Sequence, residues 1–358
     1  MPTLVVSDLH LGSALGGDVL RHELARERLL AEAAGCERVV FLGDLLELRE
    51  QPLSVVLEAA YPFFEALGEA LGRGAEVIVV PGNHDHQLAA PLIEERRLDG
   101  GEPLGLEQRR PAGSDGPLGA IARRMPGVEV SLAYPGLWLR EDVYATHGHY
   151  LDCHIAVPRV EVLGIHATRR LLRRELEFAA PADYEAVIAP LYAFTYQLAH
   201  AAAHGGRSVA SDLSARVWAR LNSHRPSLGS RALAGAVIPA TVAALNRLGL
   251  GPFTSDLSGA SLRDAGLRAM GEVVRRLGIE AEHVLFGHTH RAGPLPGEDW
   301  WPAGLVNTGS WVYEPAVLPG ARGDSPYWPG TLVRLPERGA PELRNVLRDV
   351  APEELRPW

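Results

Sequence analysis

Five short clusters of metal-binding residue types run along this chain in a fixed order: Asp8-Leu9-His10, Gly43-Asp44, Gly82-Asn83-His84-Asp85, His147-Gly148-His149 and Gly287-His288-Thr289-His290. Any one of them turns up by chance in many chains. All five together, most of them directly behind a short apolar run, constrain the fold, because ligands that meet around an ion must be carried on rigid elements. The runs are 3–6, 39–42, 77–80, 143–145 and 284–286, rich in valine, isoleucine and aromatics and each ending at a Gly or polar cluster, as buried strands do. Helical stretches are expected over 18–34 and 53–71, between the first three runs. The start of the chain therefore alternates strand and helix as an α/β protein does. In open α/β sheets, ligands bind just beyond the carboxyl ends of strands, which is where the clusters fall.

The residue types narrow the chemistry. Carboxylates, an amide oxygen and imidazoles, with no thiolate among them, suit manganese, iron, zinc or cobalt better than a soft metal. A pair of such ions about 3.5–4 Å apart needs a bridging carboxylate, binds a hydroxide between them and stabilises attacking and leaving oxygens in displacement at phosphorus. Glycine beside Asp44, Asn83, His147 and His288 lets the backbone turn sharply there.

On these motifs the chain resembles the calcineurin-like metallophosphoesterases. The resemblance implies a two-sheet α/β sandwich flanked by helices and two divalent ions, taken as manganese, with iron, zinc or cobalt as alternatives. Asp8, His10, Asp44 and His290 would hold one ion, and Asp44, Asn83, His147 and His288 the other, with Asp44 as the bridge. The family's catalytic histidine maps onto His84, with Asp85 beside it as its orienting partner. Asn307-Thr308-Gly309-Ser310-Trp311 also resembles a stretch this family carries after its last histidines. Protein Ser/Thr phosphatases carry Asp-Arg-Gly shortly after the bridging aspartate; here Glu47-Leu48-Arg49 stands instead. Ser7 to Gly12 and Gly43 to Glu47 look more like the UDP-2,3-diacylglucosamine hydrolases. Many of those have Arg where this chain has His84, and Asp where it has His149. His149 and Asp152 read equally as substrate or metal-shell contacts and as residues that shape the loop. His22, His166, His200, His204 and His224 lie outside the clusters and read as surface or structural histidines.

Two segments interrupt the motif-bearing parts. Residues 99–126 are rich in Gly, Pro and Arg, with a helical signal near 118–124, and read either as a mobile loop at the site mouth or as a surface excursion. Residues 154–257 are mostly helical: Tyr184, Val187, Ile188, Leu191, Thr195 and Leu198 follow helical spacing, and Pro181, Gly205-Gly206, Pro226 and Gly249-Gly251 break the stretch. This gives a first core part over 1–153, an inserted helical cap over 154–257 and a second core part over 258–358. From 155 to 260 there are 11 arginines against 7 acidic residues, so about +4 on a chain whose net charge is -9. Arg170, Arg173 and Arg174, beside Arg169 and several leucines, form a basic amphipathic helix that reads as a binder of anionic substrate, as a contact with an acidic membrane surface, or as a solvated face.

Composition excludes other classes. There is no lysine; all 35 basic residues are arginine, which rules out lysine-based nucleophilic or phosphate-loop chemistry. Guanidinium groups remain well suited to phosphate. The acidic balance and the lack of an extended basic stripe disfavour nucleic acid as a partner. No apolar stretch reaches the roughly 20 residues needed to span a bilayer. No basic start precedes an apolar run and cleavage site, and Cys36 and Cys153 are not a short-spaced pair, so a cytoplasmic location is expected, with peripheral membrane contact as its variant. The expected activity is hydrolysis of phosphoric esters, the substrate being amphiphilic or nucleotide-linked. The alternatives are a nuclease or cyclic-nucleotide phosphodiesterase, and a non-catalytic scaffold, which would typically have lost ligands or the catalytic His.

Overall fold

The computed structural model describes residues 2–98, 100, 103–156, 160–172, 177–202, 240, 243, 246, 247, 251, 253, 259–315, 318 and 322–356. The strands are β1 (Thr3–Val6), β2 (Arg38–Leu42), β3 (Glu76–Val80), β4 (Glu107–Pro111), β5 (Glu129–Arg140), β6 (Val143–Thr146), β7 (His283–Phe286), β8 (Leu305–Asn307), β9 (Thr331–Leu335) and β10 (Glu342–Asn345). The described helices are α1 (Glu23–Ala33), α2 (Leu53–Leu71), α3 (Ala90–Leu98), α4 (Gly116–Ala122), α5 (Val160–Leu172), α6 (Pro181–Ala202), α7 (Gly259–Arg276) and α8 (Pro352–Leu355). The result is a mixed α/β fold.

Hydrogen bonding joins all ten strands into one sheet in the order β10-β9-β1-β2-β3-β5-β6-β7-β8, with β4 on β5. Where a two-sheet core is expected, hydrogen bonding runs through all ten strands without a break. Its continuity comes from β5, which is 12 residues long. Glu129 to Leu132 pair in parallel with β3, whereas Gly136 to Arg140 pair antiparallel with β6. One strand therefore serves both halves.

Alternation along the strands separates two cores. Leu4, Val6, Val39, Phe41, Val77 and Val79 point to a helix-covered face with Ala25, Leu29, Phe63 and Phe64. Phe41 meets Phe63 and Phe64 edge to face at centroid distances of 6.0 and 6.4 Å; removing a ring as buried as Phe64 costs about 3–5 kcal/mol. The opposite residues, Val5, Val40, Leu42, Ile78 and Val80, join Leu137, Val143, Ala145, Leu285 and Val333 in a core made of strand residues alone. The sheet therefore curls, so that one face packs on itself. Strands buried on both faces explain why 39–42 and 77–80 are continuously apolar.

The chain divides into two compact units. The first comprises Met1–His149, Tyr196–His204 and Glu280–Trp358; the second comprises Tyr150–Thr195 and Gly205–Ile279. The sheet, α1 to α4 and all five motif clusters belong to the first. The second begins at Tyr150 and takes in α5, most of α6 and α7. Within it Tyr150 stacks on buried Tyr184 at 4.4 Å, and Tyr150 Oη donates to buried Glu185 at 2.7 Å. The helical spacing read from Tyr184 to Leu198 is α6, which continues through Pro190. The breaks expected at Gly205-Gly206 and Pro226 lie outside the described residues. In the stretch 99–126 the structure forms β4 and α4.

Candidate metal centre

Each cluster follows a strand end: Asp8 and His10 come after β1, Asp44 after β2, Asn83 and His84 after β3, His147 after β6, and His288 and His290 after β7. Close approach of these loops depends on small residues. A Cβ on Gly43, whose φ is +90°, would overlap the His147 ring, and one on Gly82 would overlap the Asp44 carboxylate. Six non-glycine residues adopt positive φ among those described, and five are in the clusters: Asp8, His10, Asp44, His288 and His290. Such conformations are costly and persist where the surroundings enforce them, commonly at functional sites.

The Asn307-Thr308-Gly309-Ser310-Trp311 stretch does much of that enforcing. Ser7 Oγ lies 2.6 Å from Thr308 Oγ1, and Trp311 donates its backbone N–H to the Asp8 carbonyl at 3.0 Å. Asn307 Nδ2 donates to the Gly287 carbonyl at 3.0 Å and to Thr289 Oγ1 at 2.9 Å. One segment thus braces the first and last ligand loops.

The side chains fall into three overlapping groups whose donor atoms lie within 4.8 Å of one another: Asp8, His10 and His290; His10, Asp44 and His84; Asp44, His147 and His288. Asp44 stands in two groups. Asn83 Oδ1 completes the third, 3.1 Å from His147 Nε2 and 3.0 Å from His288 Nδ1, and Asp44 Oδ2 is 3.2 Å from His147 Nε2. The Asn83 amide can sit either way here: turned over, it gives its NH2 to His147 Nε2, His288 Nδ1 and Asp44 Oδ2, and with its oxygen inward it joins a carboxylate and two imidazole nitrogens as a donor set. That convergence fits a divalent cation.

The electrostatics agree. Burial works to raise Asp44, but the neighbouring His147 and His84 hold it well below the ordinary carboxylate range. Burial works to lower His147, yet the Asp44 and Asp8 carboxylates push it up to about 9. In the absence of ions, protons answer the same demand for positive charge that cations would satisfy, and ligand histidines release them on metal binding.

His84 is among the more open side chains of the site: 24% of it is accessible, like the 22% of His290 and unlike the 2% of Asp44. Its Nδ1 lies 2.7 Å from Glu47 Oε2, and Arg49 Nη1 lies 3.4 Å from its Nε2. The orienting carboxylate on His84 is therefore Glu47 rather than Asp85. Asp85 commits its oxygens to backbone N–H groups, with Oδ1 accepting from Gly82 at 2.7 Å and Oδ2 from Leu45 at 2.8 Å and Leu46 at 3.2 Å. It ties the Asn83 loop to the Asp44 loop. Glu47 also reaches His10 Nδ1 at 2.7 Å, and burial of its carboxylate is outweighed by His84 and His10, which hold it well below the usual range. Glu314 Oε1 accepts from His290 Nδ1 at 2.7 Å, and His147 Nδ1 faces the Leu42 carbonyl at 3.0 Å.

The remaining expected residues sit elsewhere. His149 is buried behind His147, near-parallel to the Tyr134 ring at 6.2 Å with Nε2 3.3 Å from Tyr134 Oη. Burial and the nearby His147 keep it well below the ordinary histidine range. It stands in none of the donor groups. Asp152 and Cys153 are buried in the second unit, where burial pushes the Cys153 thiol well up, away from reactivity. Arg170 is exposed in the last turn of α5, in the second unit; Arg173 and Arg174 lie outside the described residues. Among the described residues, no helix is long and apolar enough to cross a membrane.

The family profile of the calcineurin-like phosphoesterases matches residues 1–292. No curated protein matches. Among solved structures, a cold-active protein-tyrosine phosphatase of a psychrophile, Shewanella sp., is 14% identical, with alignment over 96% of this chain and 80% of that one and a TM-score of 0.29. A PanE/ApbA family ketopantoate reductase from Ralstonia eutropha is 14% identical over 76% of this chain and 99% of that one, with a TM-score of 0.15. Both scores are too low for either likeness to bear on the fold.

Proposed function

Because the chain belongs to the calcineurin-like phosphoesterase family, we propose that it hydrolyses phosphoric esters with two divalent ions, for both of which Asp44 would be a ligand. The observation that carries this is the overlap of three donor groups, Asp44 standing in two of them and His10 in two. Asp8, His10, Asp44 and His290 would hold one ion, and Asp44, Asn83, His147 and His288 the other. When bound, the ions supply positive charge at the phosphoryl oxygens and acidify water held at the site. The chain's own groups do the rest. His84, with Nδ1–H held by the Glu47 carboxylate, would act as the acid when its ring carries a second proton at Nε2, passing that proton to the leaving oxygen and keeping the one on Nδ1. Arg49, whose Nη1 lies 3.4 Å from His84 Nε2 without substrate, would turn its guanidinium to the phosphate oxygens instead when the ester is bound.

For the substrate we favour an amphiphilic or nucleotide-linked phosphate ester, with the basic segment 154–257 acting as a cap. Its support is local and rests on charge: α5 ends in Arg169 and Arg170, whereas the aromatic cluster of Tyr150, Phe178 and Tyr184 is buried in the second unit's own core. We read the curled sheet as the two-layer core of the family and manganese as the working ion.

The test is hydrolysis of an aryl phosphate before and after chelation, alongside Asp44→Ala. Metal-stripped protein and the variant should both be inactive, and added Mn²⁺ should rescue only the native chain. Full activity after stripping refutes the proposal. Screening the Mn-loaded protein against phosphomonoesters, phosphodiesters, nucleotide pyrophosphates and single-stranded DNA then assigns the substrate class.

A further inference from the structure

A pocket lies between α1 and α2, apart from the metal centre, and we propose that it binds a small anion with an apolar body, Arg26 holding the charge. Its volume is about 370 Å³, within the range of small-molecule sites. One side is the middle of α2, where Ala59 and Pro62 are exposed over buried Phe63. Pro62 has no backbone N–H, so this wall offers carbon rather than donors. Another side is Leu11-Gly12-Ser13, which continues from His10, with Gln51, which follows the Glu47-Leu48-Arg49 turn. None of the residues in the three donor groups lines the pocket.

The charges of the lining select the ligand. Asp18 is matched internally: Arg21 Nε donates to its Oδ1 at 2.6 Å, and Gly12 donates its N–H to Oδ2 at 3.1 Å. Arg21 Nη2 also reaches the Ser13 carbonyl at 3.0 Å, and Gln51 Nε2 donates to the Gly12 carbonyl at 2.6 Å. Glu50, next to Gln51 in sequence, accepts instead from Ser13 Oγ at 3.0 Å and from the Ala14 N–H at 2.9 Å. Arg26 is left over. It is half-buried, it lines the pocket, and among the described residues its guanidinium has no hydrogen bond or ion pair. Two arginines against one aspartate leave the lining with one net positive charge, carried by a group rich in donors. A carboxylate with a short hydrocarbon tail suits both features: its oxygens pair with the guanidinium, and its tail covers Ala59 and Pro62.

Hexanoate is the probe. Calorimetric titration of the full chain, Mn²⁺-loaded and metal-stripped alike, should show the same saturable event with a dissociation constant of about 1 mM or below. Acetate should bind at least about 10-fold more weakly, because each buried methylene strengthens binding about fourfold. Hexanol, which lacks the charge, should also bind at least about 10-fold more weakly. Arg26→Gln should weaken hexanoate by about 10–100-fold, the loss of a hydrogen bond to a charged group. That change orphans no protein partner, so the melting temperature should hold. Ala59→Leu, at an exposed position of α2 that suits a helix former, should fill the pocket and block binding with Arg26 intact. No saturable event in the native chain, equal binding of hexanol, or undiminished binding in either variant would overturn the proposal. So would binding that vanishes on metal removal, which would put the carboxylate on the ions. The two-ion reading stands or falls separately, on metal content and aryl phosphate turnover.

Discussion

Replacing Glu47 with alanine separates its two roles. Its carboxylate is 3% accessible and accepts from His10 Nδ1 and from His84 Nδ1, each at 2.7 Å. The two partners lose different things. His10 is 7% accessible, so its orphaned N–H cannot be fully rehydrated, and the loss should cost about 1–3 kcal/mol of stability. His84 is 24% accessible and can find water, so its cost should appear in catalysis instead of stability. Two kinetic consequences follow. Loss of the group behind His10 should raise the Mn²⁺ concentration for half-maximal activity by about 10–100-fold. Loss of the group behind His84 should lower kcat at saturating Mn²⁺ by up to about 10²–10⁴-fold, the range for a positioned acid. The assay is aryl phosphate hydrolysis across a Mn²⁺ series for Glu47→Ala, His84→Ala and the double variant. His84→Ala should lose turnover with metal affinity intact, and the double variant should turn over no more slowly than His84→Ala, since Glu47 acts on the proton through that ring. Full recovery of kcat by excess metal in Glu47→Ala, or multiplying losses in the double variant, would refute the shared-carboxylate reading.

Gly43→Ala should cost several kcal/mol and abolish metal uptake, because its Cβ would overlap the His147 ring and its φ of +90° disfavours any side chain; melting temperature and bound metal both check this. His154 donates to or accepts from Tyr184 Oη at 2.8 Å, and burial, with Arg276 nearby, lowers its pKa to about 4. The folded state then binds fewer protons than the unfolded one between about pH 4 and the ordinary histidine value near 6.5. Stability present above that window is therefore lost as pH falls through it, and melts of native and His154→Asn protein should diverge at pH 7 and converge towards pH 4. If the segment 154–257 is a substrate cap, changing Arg170, Arg173 and Arg174 together to Ala should raise KM for an anionic amphiphilic ester and leave a small aryl phosphate unaffected. Equal losses on both substrates, or none, would make those arginines structural.

The ligand clusters were legible because their signal is local. Asp8 and His10, or His288 and His290, stand two residues apart, behind runs of valine and leucine that only a buried strand explains. Residue type and strand position told the same story. The groups that orient the ligands leave no such trace: Glu47 is 37 residues from both His10 and His84, and Glu314 is 24 from His290. Asp85 was the natural choice beside His84 in sequence. It is a cap for backbone amides instead, because adjacent side chains on a turn point apart, and Asp85 turns towards Gly82, Leu45 and Leu46.

The sheet shows the same division between local and distant information. Apolar runs at 39–42 and 77–80 mark strands buried on both faces, but nothing in them says that the second face is covered by other strands. That follows from β5, where a single 12-residue strand changes partners between Leu132 and Gly136 and carries the ladder from the Asp8, Asp44 and Asn83 half to the His147 and His288 half. The curl is therefore what makes five clusters into one site. Three arrive on the parallel strands β1 to β3, and two on the parallel pair β6 and β7, which joins the first set only through β5. A flat sheet with the same sequence would have kept His147 away from Asp44. The 3.2 Å between Nε2 and Oδ2 is thus a property of the whole ladder, held at close range by the missing side chains of Gly43 and Gly82.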